Sequence, residues 1–403
     1  MSRTNDPDAW HASIIEESER QIEETTAALM DPHAETPIKL WTESSAARPM
    51  SRSAARALDG AEWAFTTRRV DRTRAATLIN GPVRPRVGDL VLARVDRLGH
   101  HANLQTVDGR RRRLFPGDRV VVAYGNRYAC EQFEAHVPET LGPCHLVAGG
   151  GLASRAISWH DRIAKGPTHI TPLGLLADTT EHNLNLADFA LPPAPARLPF
   201  RPRVIAVVGT AMDAGKTDTA AFLLRGLRSA GQRTGYIKVT GTGAGGDTWL
   251  LNDAGADKVL DFTDAGLPST YLASLEVVTS VMQTLVAEMA AHHMDTVVME
   301  VADGLYQRET AQLIQSPAFR DTVDGVVLAA RDAMGASAGV AILAHQPRPV
   351  VALSGLLSAS PLQRREAFDT TGIRSYNRQE LAMAANAISI CEAARSDALE
   401  EAG

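Results

Sequence analysis

The chain has 403 residues, a formal net charge of −6 and a hydrophobic share of 44%, the composition of a folded globular protein with room for two cores. No apolar run approaches the roughly 20 residues that a membrane-spanning helix needs, so no membrane role is expected. The acidic balance gives no general attraction to nucleic acid, and no nucleic-acid partner is expected; the local basic run Arg110, Arg111, Arg112 and Arg113 reads as a solvated turn.

Residues 1–50 lack the basic-then-apolar pattern of a secretory signal, and Cys130, Cys144 and Cys391 have neither metal-ligand nor redox spacing. A cytoplasmic, reducing location with structural thiols is expected. Residues 9–30 carry Glu, Ala and Ile at helical spacing, and 31–86 mix Ser, Ala and Arg without a clear period. The stretch 1–86 therefore reads as a helical, partly mobile extension.

From Val87 the pattern changes to short β-rich runs at 89–95, 101–106, 119–123 and 127–133, with Asp108-Gly109 and Gly117-Asp118 at turns between them. Runs of this length predict a small antiparallel barrel-like domain over 87–183. Within it, Gly149-Gly150-Gly151 and the polar residues His160, Asp161, Arg162, Lys165 and His169 form either a ligand pocket or ordinary surface. Pro192, Pro193, Pro195, Pro199 and Pro202 then stiffen the chain, which predicts a linker over 184–202 and a separable second domain beginning near Leu198.

Over 203–396, strands at 204–208, 234–239, 296–301, 323–329 and 350–354 alternate with helices at 216–229 and 271–292, and 397–403 form a tail. Alternation of this kind predicts an α/β fold, a P-loop domain with a mostly parallel sheet flanked by helices, preceded by the small barrel-like domain. The strand at 204–208 runs into Gly209-Thr210-Ala211-Met212-Asp213-Ala214-Gly215-Lys216-Thr217 and then an amphipathic helix. A loop at a helix N-terminus points unpaired backbone N–H groups inward, the helix dipole adds positive charge, and a lysine reaches the outer phosphates. Gly209, Thr210, Asp213, Ala214, Gly215, Lys216, Thr217 and Asp218 are accordingly the nucleotide-binding candidates, with the Thr217 hydroxyl on magnesium. Five residues separate Gly209 from Gly215, one more than in the common GxxxxGK[ST] pattern.

That longer loop, opening on Gly-Thr and closing on Gly-Lys-Thr, resembles dethiobiotin synthetase, and the likeness runs over about residues 203–362. Gly235-Tyr236-Ile237-Lys238-Val239 resembles the family's Gly-Tyr-Lys-Pro-Val motif, with Ile237 inserted and the proline absent. The resemblance implies that Lys238 reaches the reacting phosphate and the substrate carboxylate. Val297-Val298-Met299-Glu300 resembles the strand whose glutamate is a magnesium-side ligand, although the glycines that follow in the family are largely replaced here. Lys216, Lys238 and Glu300 thus become the catalytic candidates, and Thr217, Asp247 and Glu300 the metal candidates. Asp247, which closes the mobile glycine-rich stretch 241–247, is otherwise a solvated loop carboxylate.

The MinD-like ATPases of the same branch need a second lysine near the loop start, where this chain has Thr210 and Ala211. Near the fifth strand the sequence reads Ala352-Leu353-Ser354-Gly355-Leu356 without a base-recognising asparagine, so the base stays open between adenine and guanine. Arg308 and Arg331 each follow a strand at the ligand-binding edge of the sheet, and each is either a substrate contact or a surface residue.

Taken with ATP and Mg2+ as expected cofactors, the motifs point to an ATP-dependent ligase or phosphotransferase acting on a small-molecule substrate, with a homodimer as the expected assembly. Two other classes stay open: an N-acyltransferase holding coenzyme A phosphates in the loop, and a nucleotide switch regulated by a partner. The β-rich region is expected to lie over the C-terminal edge of the parallel sheet and to help select the substrate.

Overall fold

The computed structural model describes residues 50–198, 200–344 and 348–400; the predicted helix at 9–30 and the last three residues of the tail lie outside them. Strand β13, Arg203–Gly209, occupies the middle of a six-stranded sheet with β14 Thr234–Lys238, β15 Lys258–Asp261, β16 Thr296–Glu300, β17 Gly325–Ala329 and β18 Val350–Ser354. The order is β15-β14-β16-β13-β17-β18, and every pairing is parallel.

The period-2 alternation of β13 explains why this sheet has helices on both faces. Val204, Ala206 and Val208 enter one core with Met282, Leu285 and Met289 of the helix Leu275–Ala291. Ile205 and Val207 enter the other, with Leu223, Leu224 and Leu227 of the helix Lys216–Ser229 and with Ile390 and Cys391 of Ala384–Glu400. Each fully buried Leu or Ile contributes about 1.5–3 kcal/mol, so the two cores dominate the stability of this half.

Chain order sends β14 to one side of β13 and β17 to the other, which places the topological switch point at the C-terminal end of β13. The helices are labelled α1 Lys216–Ser229, α2 Gly245–Asp253, α3 Leu275–Ala291, α4 Arg308–Ile314, α5 Pro317–Thr322, α6 Ala333–Leu343, α7 Pro361–Thr371, α8 Arg378–Leu381 and α9 Ala384–Glu400. Helix α3 begins after Ser274, whose side chain accepts from Val277 N, and not at Tyr271. The stretch expected to be a mobile loop through Asp247 instead enters α2 at Gly245, with Asp247 in its first turn.

The β-rich half is larger than the small antiparallel barrel expected from the sequence. Ten strands form its main sheet: β1 Met50–Ser53, β2 Glu62–Trp63, β3 Thr77–Asn80, β4 Leu90–Arg97, β7 Arg119–Tyr124, β8 Arg127–Tyr128, β9 Phe133–His136, β10 Cys144–Ala148, β11 Leu152–Trp159 and β12 Thr168–Ala177. β5 Asn103–Gln105 and β6 Arg111–Arg113 form a separate hairpin.

Pairings β12·β4·β7·β11·β10·β12 run in a ring, and β7·β11 and β2·β7 are parallel. Strands at 50–53, 62–63 and 77–80 correct the reading of residues up to 86 as a helical extension. The basic run at 111–113 is likewise a strand, where Arg112 pairs with Glu62 at 3.3 Å and Asp118 at 3.1 Å. The Arg112 charge is spent within the chain, while Arg111 and Arg113 are exposed.

The two halves belong to one compact unit, Arg48–Gly403. Arg68 Nη2 bridges Asp261 at 2.8 Å and Asp264 at 2.7 Å, and Gln105 Oε1 accepts from Gly245 N at 2.8 Å. A Cβ on Gly150 would lie 2.0 Å from the Gly243 carbonyl oxygen. Gly150 therefore serves close backbone contact between the halves, while Gly149 and Gly151 face Asn103 and Ala64 within the β-rich half. His160 and His169 do not converge: His169 contacts Arg97 and packs against His145, whereas His160 lies in a cleft facing Tyr271.

Candidate phosphate-binding site

At the end of β13 the chain turns through residues 210–215 into α1, the strand, loop and helix of a P-loop. Gly215 at the helix N-cap has φ 94°, and a Cβ there would meet Gly355 Cα at 3.1 Å. Left-handed backbone and close approach both call for glycine. Asp213 also adopts the left-handed region, with φ 59°. The Lys216 stem lies across Gly209, where an added Cβ would be 2.8 Å from Lys216 Cγ, and Lys216 Nζ donates to Ala211 O at 2.9 Å.

A cavity of about 430 Å³ opens here, lined among others by Asp213, Lys216, Thr217, Lys238, Asp247 and Glu300. Gly215, Asp218 and Asp303 also reach it. Gly209, Thr210 and Ala214 shape the loop without lining the cavity: Thr210 N donates to Ala329 O at 3.0 Å, and Ala214 O accepts from Leu356 N at 3.1 Å. Arg308 is turned onto Glu309, and Arg331 is exposed after β17; neither lines the cavity.

Glu300 ends β16 with its carboxylate almost fully buried. It accepts from Tyr236 OH at 2.9 Å and from Thr217 Oγ1 at 3.3 Å, and it pairs with Lys238 Nζ at 3.1 Å. Burial alone would push its pKa up, but Lys238 and Lys216 together hold it below the ordinary glutamate value. Lys238 also bridges Asp247. Burial opposes the charge of Lys238, yet Asp247 and Glu300 keep its pKa above the usual lysine range. For Lys216 burial wins over Glu300 and Asp303, and its pKa is lowered. Burial pushes the Asp303 carboxyl up, against the pull of Lys216 and Lys238.

Several neighbours were not legible as site residues. A second cavity of about 370 Å³ adjoins the first, sharing Gly215, Asp218 and Leu356, and it is lined by Ser354, Asn377 and Arg378. Arg378 pairs with Asp218 across 160 positions of sequence, a separation that leaves no local signal. Arg127, from the β-rich half, is buried, donates to Gln132 Oε1 at 2.7 Å and lies 3.0 Å from His101 Nε2. Burial lowers the Arg127 pKa to about 10, with Asp303 pulling it back up. Cys130 Sγ lies 3.9 Å from Met212 Sδ, so the turn between β8 and β9 rests against the phosphate loop.

The oxygen donors at the cavity suit magnesium, which takes one or two carboxylates together with substrate phosphates. A cluster of three metal-ligating His, Cys, Asp or Glu side chains is absent among the described residues. Thr217, Asp247 and Glu300 offer oxygens on this cavity, the two carboxylates being ion-paired with Lys238.

No protein-family model matches the chain, and no curated protein matches it. Among solved structures, the signal recognition particle receptor FtsY from Elizabethkingia anophelis is similar at 18% identity, covering 48% of this chain and 65% of that chain with a TM-score of 0.35. A DUF1611 family protein from Anabaena variabilis is similar at 14% identity, over 50% and 62% of the two chains, with a TM-score of 0.33. The kinase domain of the Escherichia coli tyrosine kinase ETK is similar at 16% identity, over 38% and 68%, with a TM-score of 0.30. The chain thus spans less than two thirds of the first two of these.

Proposed function

We propose that this chain is a magnesium-dependent enzyme that binds a nucleoside triphosphate and transfers its terminal phosphoryl group to a carboxylate or similar group of a small molecule, as a ligase or kinase does. The observation that carries this reading is the arrangement of Lys216, Lys238 and Glu300 on one cavity at the end of the central strand. The buried Lys216 ammonium, the half-buried Lys238 ammonium and the α1 N-terminus give the charge needed to hold a triphosphate and to stabilise its transfer.

Lys216 exchanges the Ala211 carbonyl for phosphate oxygens, which are stronger acceptors. Lys238 faces the transferred group from the opposite wall, held by Asp247 and Glu300. Magnesium bound by Thr217, Asp247 and Glu300 would supply charge neutralisation at the phosphates. Asp303, on the same cavity, would take the proton where the attacking group is a hydroxyl or an amine, whereas a carboxylate attacks without losing one. The adjoining 370 Å³ cavity is the seat for the nucleoside, with Asn377, which lies outside the stretch that resembles dethiobiotin synthetase, offering its side-chain amide. That same resemblance favours ATP.

Product analysis tests the reading. The full chain with magnesium and ATP or GTP is incubated with fractionated small-molecule extract, and nucleotides and phosphorylated products are followed by mass spectrometry. Nucleoside diphosphate formed only in the presence of a small molecule, and lost in Lys238→Ala, is the expected result. Consumption of acyl-CoA without diphosphate would move the chain to the N-acyltransferases. Slow hydrolysis accelerated only by a protein would make it a switch, and either outcome overturns the proposal.

A further inference from the structure

Beside the phosphate cavity a cleft of about 320 Å³ lies between the two halves, lined by Tyr128, Cys130, Glu134, Trp159 and His160 from the β-rich half and by Tyr271 from the other. Cys130, at its lip, is the residue that touches Met212 of the phosphate loop. A molecule in the cleft therefore has a short path to the transferred phosphate.

The walls are aromatic. Tyr128 and Tyr271 stand with ring centroids 5.6 Å apart, and Trp159 is 47% exposed at the end of β11, two strands from Tyr128 in the same sheet. The charged group among them is Glu134, whose oxygens accept from Tyr271 OH at 3.1 Å and from Ser158 Oγ at 3.2 Å. Among the described residues no lysine or arginine pairs with this carboxylate; the nearest basic group is His136 Nε2 at 3.8 Å. Of the nearby arginines, Arg308 pairs with Glu309 and Arg162 with Glu131 at 3.9 Å, while Arg155 of β11 stands opposite His136. Burial raises the Tyr128 hydroxyl, and the carboxylates of Asp303 and Glu134 add to it.

We propose that this cleft seats the small substrate through an ammonium group, held by the Glu134 carboxylate and the faces of Tyr128, Trp159 and Tyr271. Aromatic faces attract cations through their quadrupoles, and a carboxylate with only hydroxyl donors retains its full charge for a cationic partner. The group to be phosphorylated then extends past Cys130 toward Lys238. The substrate's role in turnover rests on the phosphoryl-transfer reading, whereas its binding in the cleft does not.

The test uses three probes of one shape: n-pentylammonium, 1-pentanol and pentanoate. Each is titrated into the full chain and followed by tryptophan fluorescence, with Trp159→Phe identifying the signal from the cleft. Nucleotide affinity is measured calorimetrically on the same samples. The ammonium is expected to bind more tightly than the alcohol and the carboxylate, and to lose about tenfold in affinity in Glu134→Gln while nucleotide affinity is unchanged. Failure of the ammonium to bind more tightly than the alcohol, or preference for pentanoate, overturns the proposal, as does unaltered ammonium affinity in a folded Glu134→Gln. The comparison of probes on the unaltered chain decides the matter even where the variant does not fold. Loss of nucleotide binding in Lys216→Ala with ammonium binding kept shows that the two sites stand or fall separately.

Discussion

Glu300 is held by a tyrosine hydroxyl on one side and two lysines on the other, and its replacement separates binding from turnover. In Glu300→Gln the loop and Lys216 still hold the phosphates, while one negative charge at the metal side is gone. Turnover should fall by about a hundredfold while nucleotide affinity changes by less than about tenfold, as checked by steady-state kinetics and calorimetry. A second residue-scale prediction concerns His101. Burial, with Arg127 and His100 alongside, pushes its pKa from 6.5 down to about 3, so the folded chain keeps it neutral as an acceptor for Arg127. Between those values the unfolded chain binds the proton and the folded chain does not, so stability contributed by neutral His101 is lost as pH falls from 6.5 toward 3. Melting temperature should decline over that window, and less steeply in His101→Phe. That Lys216, Thr217, Lys238 and Glu300 meet at one cavity was legible because each stands in a short motif with a chemical reason for its spacing. Asn377 and Arg378 were not, because only the fold brings them to Asp218.

Elements were legible in proportion to their periodicity. Strands such as β13, apolar on both faces, announce a sheet with helices on both sides, and that architecture is the one found. Helix α2 was read as a loop because it opens on two glycines and buries only Gly245 and Leu251, too little to give a helical stripe. The four-residue strand β15, beside it at the sheet edge, carried a similarly weak signal. Gly150 was misread for a different reason: its partner, the loop at Gly243 and Ala244, is distant in sequence, and glycine there serves approach of two backbones. Gly150→Ala, with its methyl 2.0 Å from the Gly243 oxygen, should cost about 1–3 kcal/mol, measured by denaturant unfolding. Gly231→Ala is not an equivalent control, since Gly231 has φ 81°. Gly246→Ala, in open space, should change stability little.

At the scale of the molecule, proline-rich sequence suggested two separable domains, and the contacts instead make Arg48–Gly403 one unit. Arg68 reaches from the β-rich half to Asp261 and Asp264, which are buried in the other. Removing one partner of such a pair costs about 3–5 kcal/mol. A fragment beginning near Leu198 should therefore melt well below the full chain, and Arg68→Ala in the full chain should reproduce part of the loss; thermal unfolding followed by circular dichroism checks both. The same contacts place the β-rich half against the phosphate loop and the ligand edge of the parallel sheet, through Cys130 and Met212 and through Gln105 and Gly245. Pattern alone could suggest that arrangement, but only the tertiary contacts name the residues. The central claim is that the cavity at the end of β13 holds a magnesium nucleotide by way of Lys216, and calorimetric titration of Mg-ATP and Mg-GTP into the full chain and its Lys216→Ala variant tests it most directly. Saturable binding of one of the two nucleotides, weakened at least about a hundredfold in a variant with unchanged circular dichroism, is the predicted result; equal affinity in the two proteins, or no nucleotide binding by either, would contradict it.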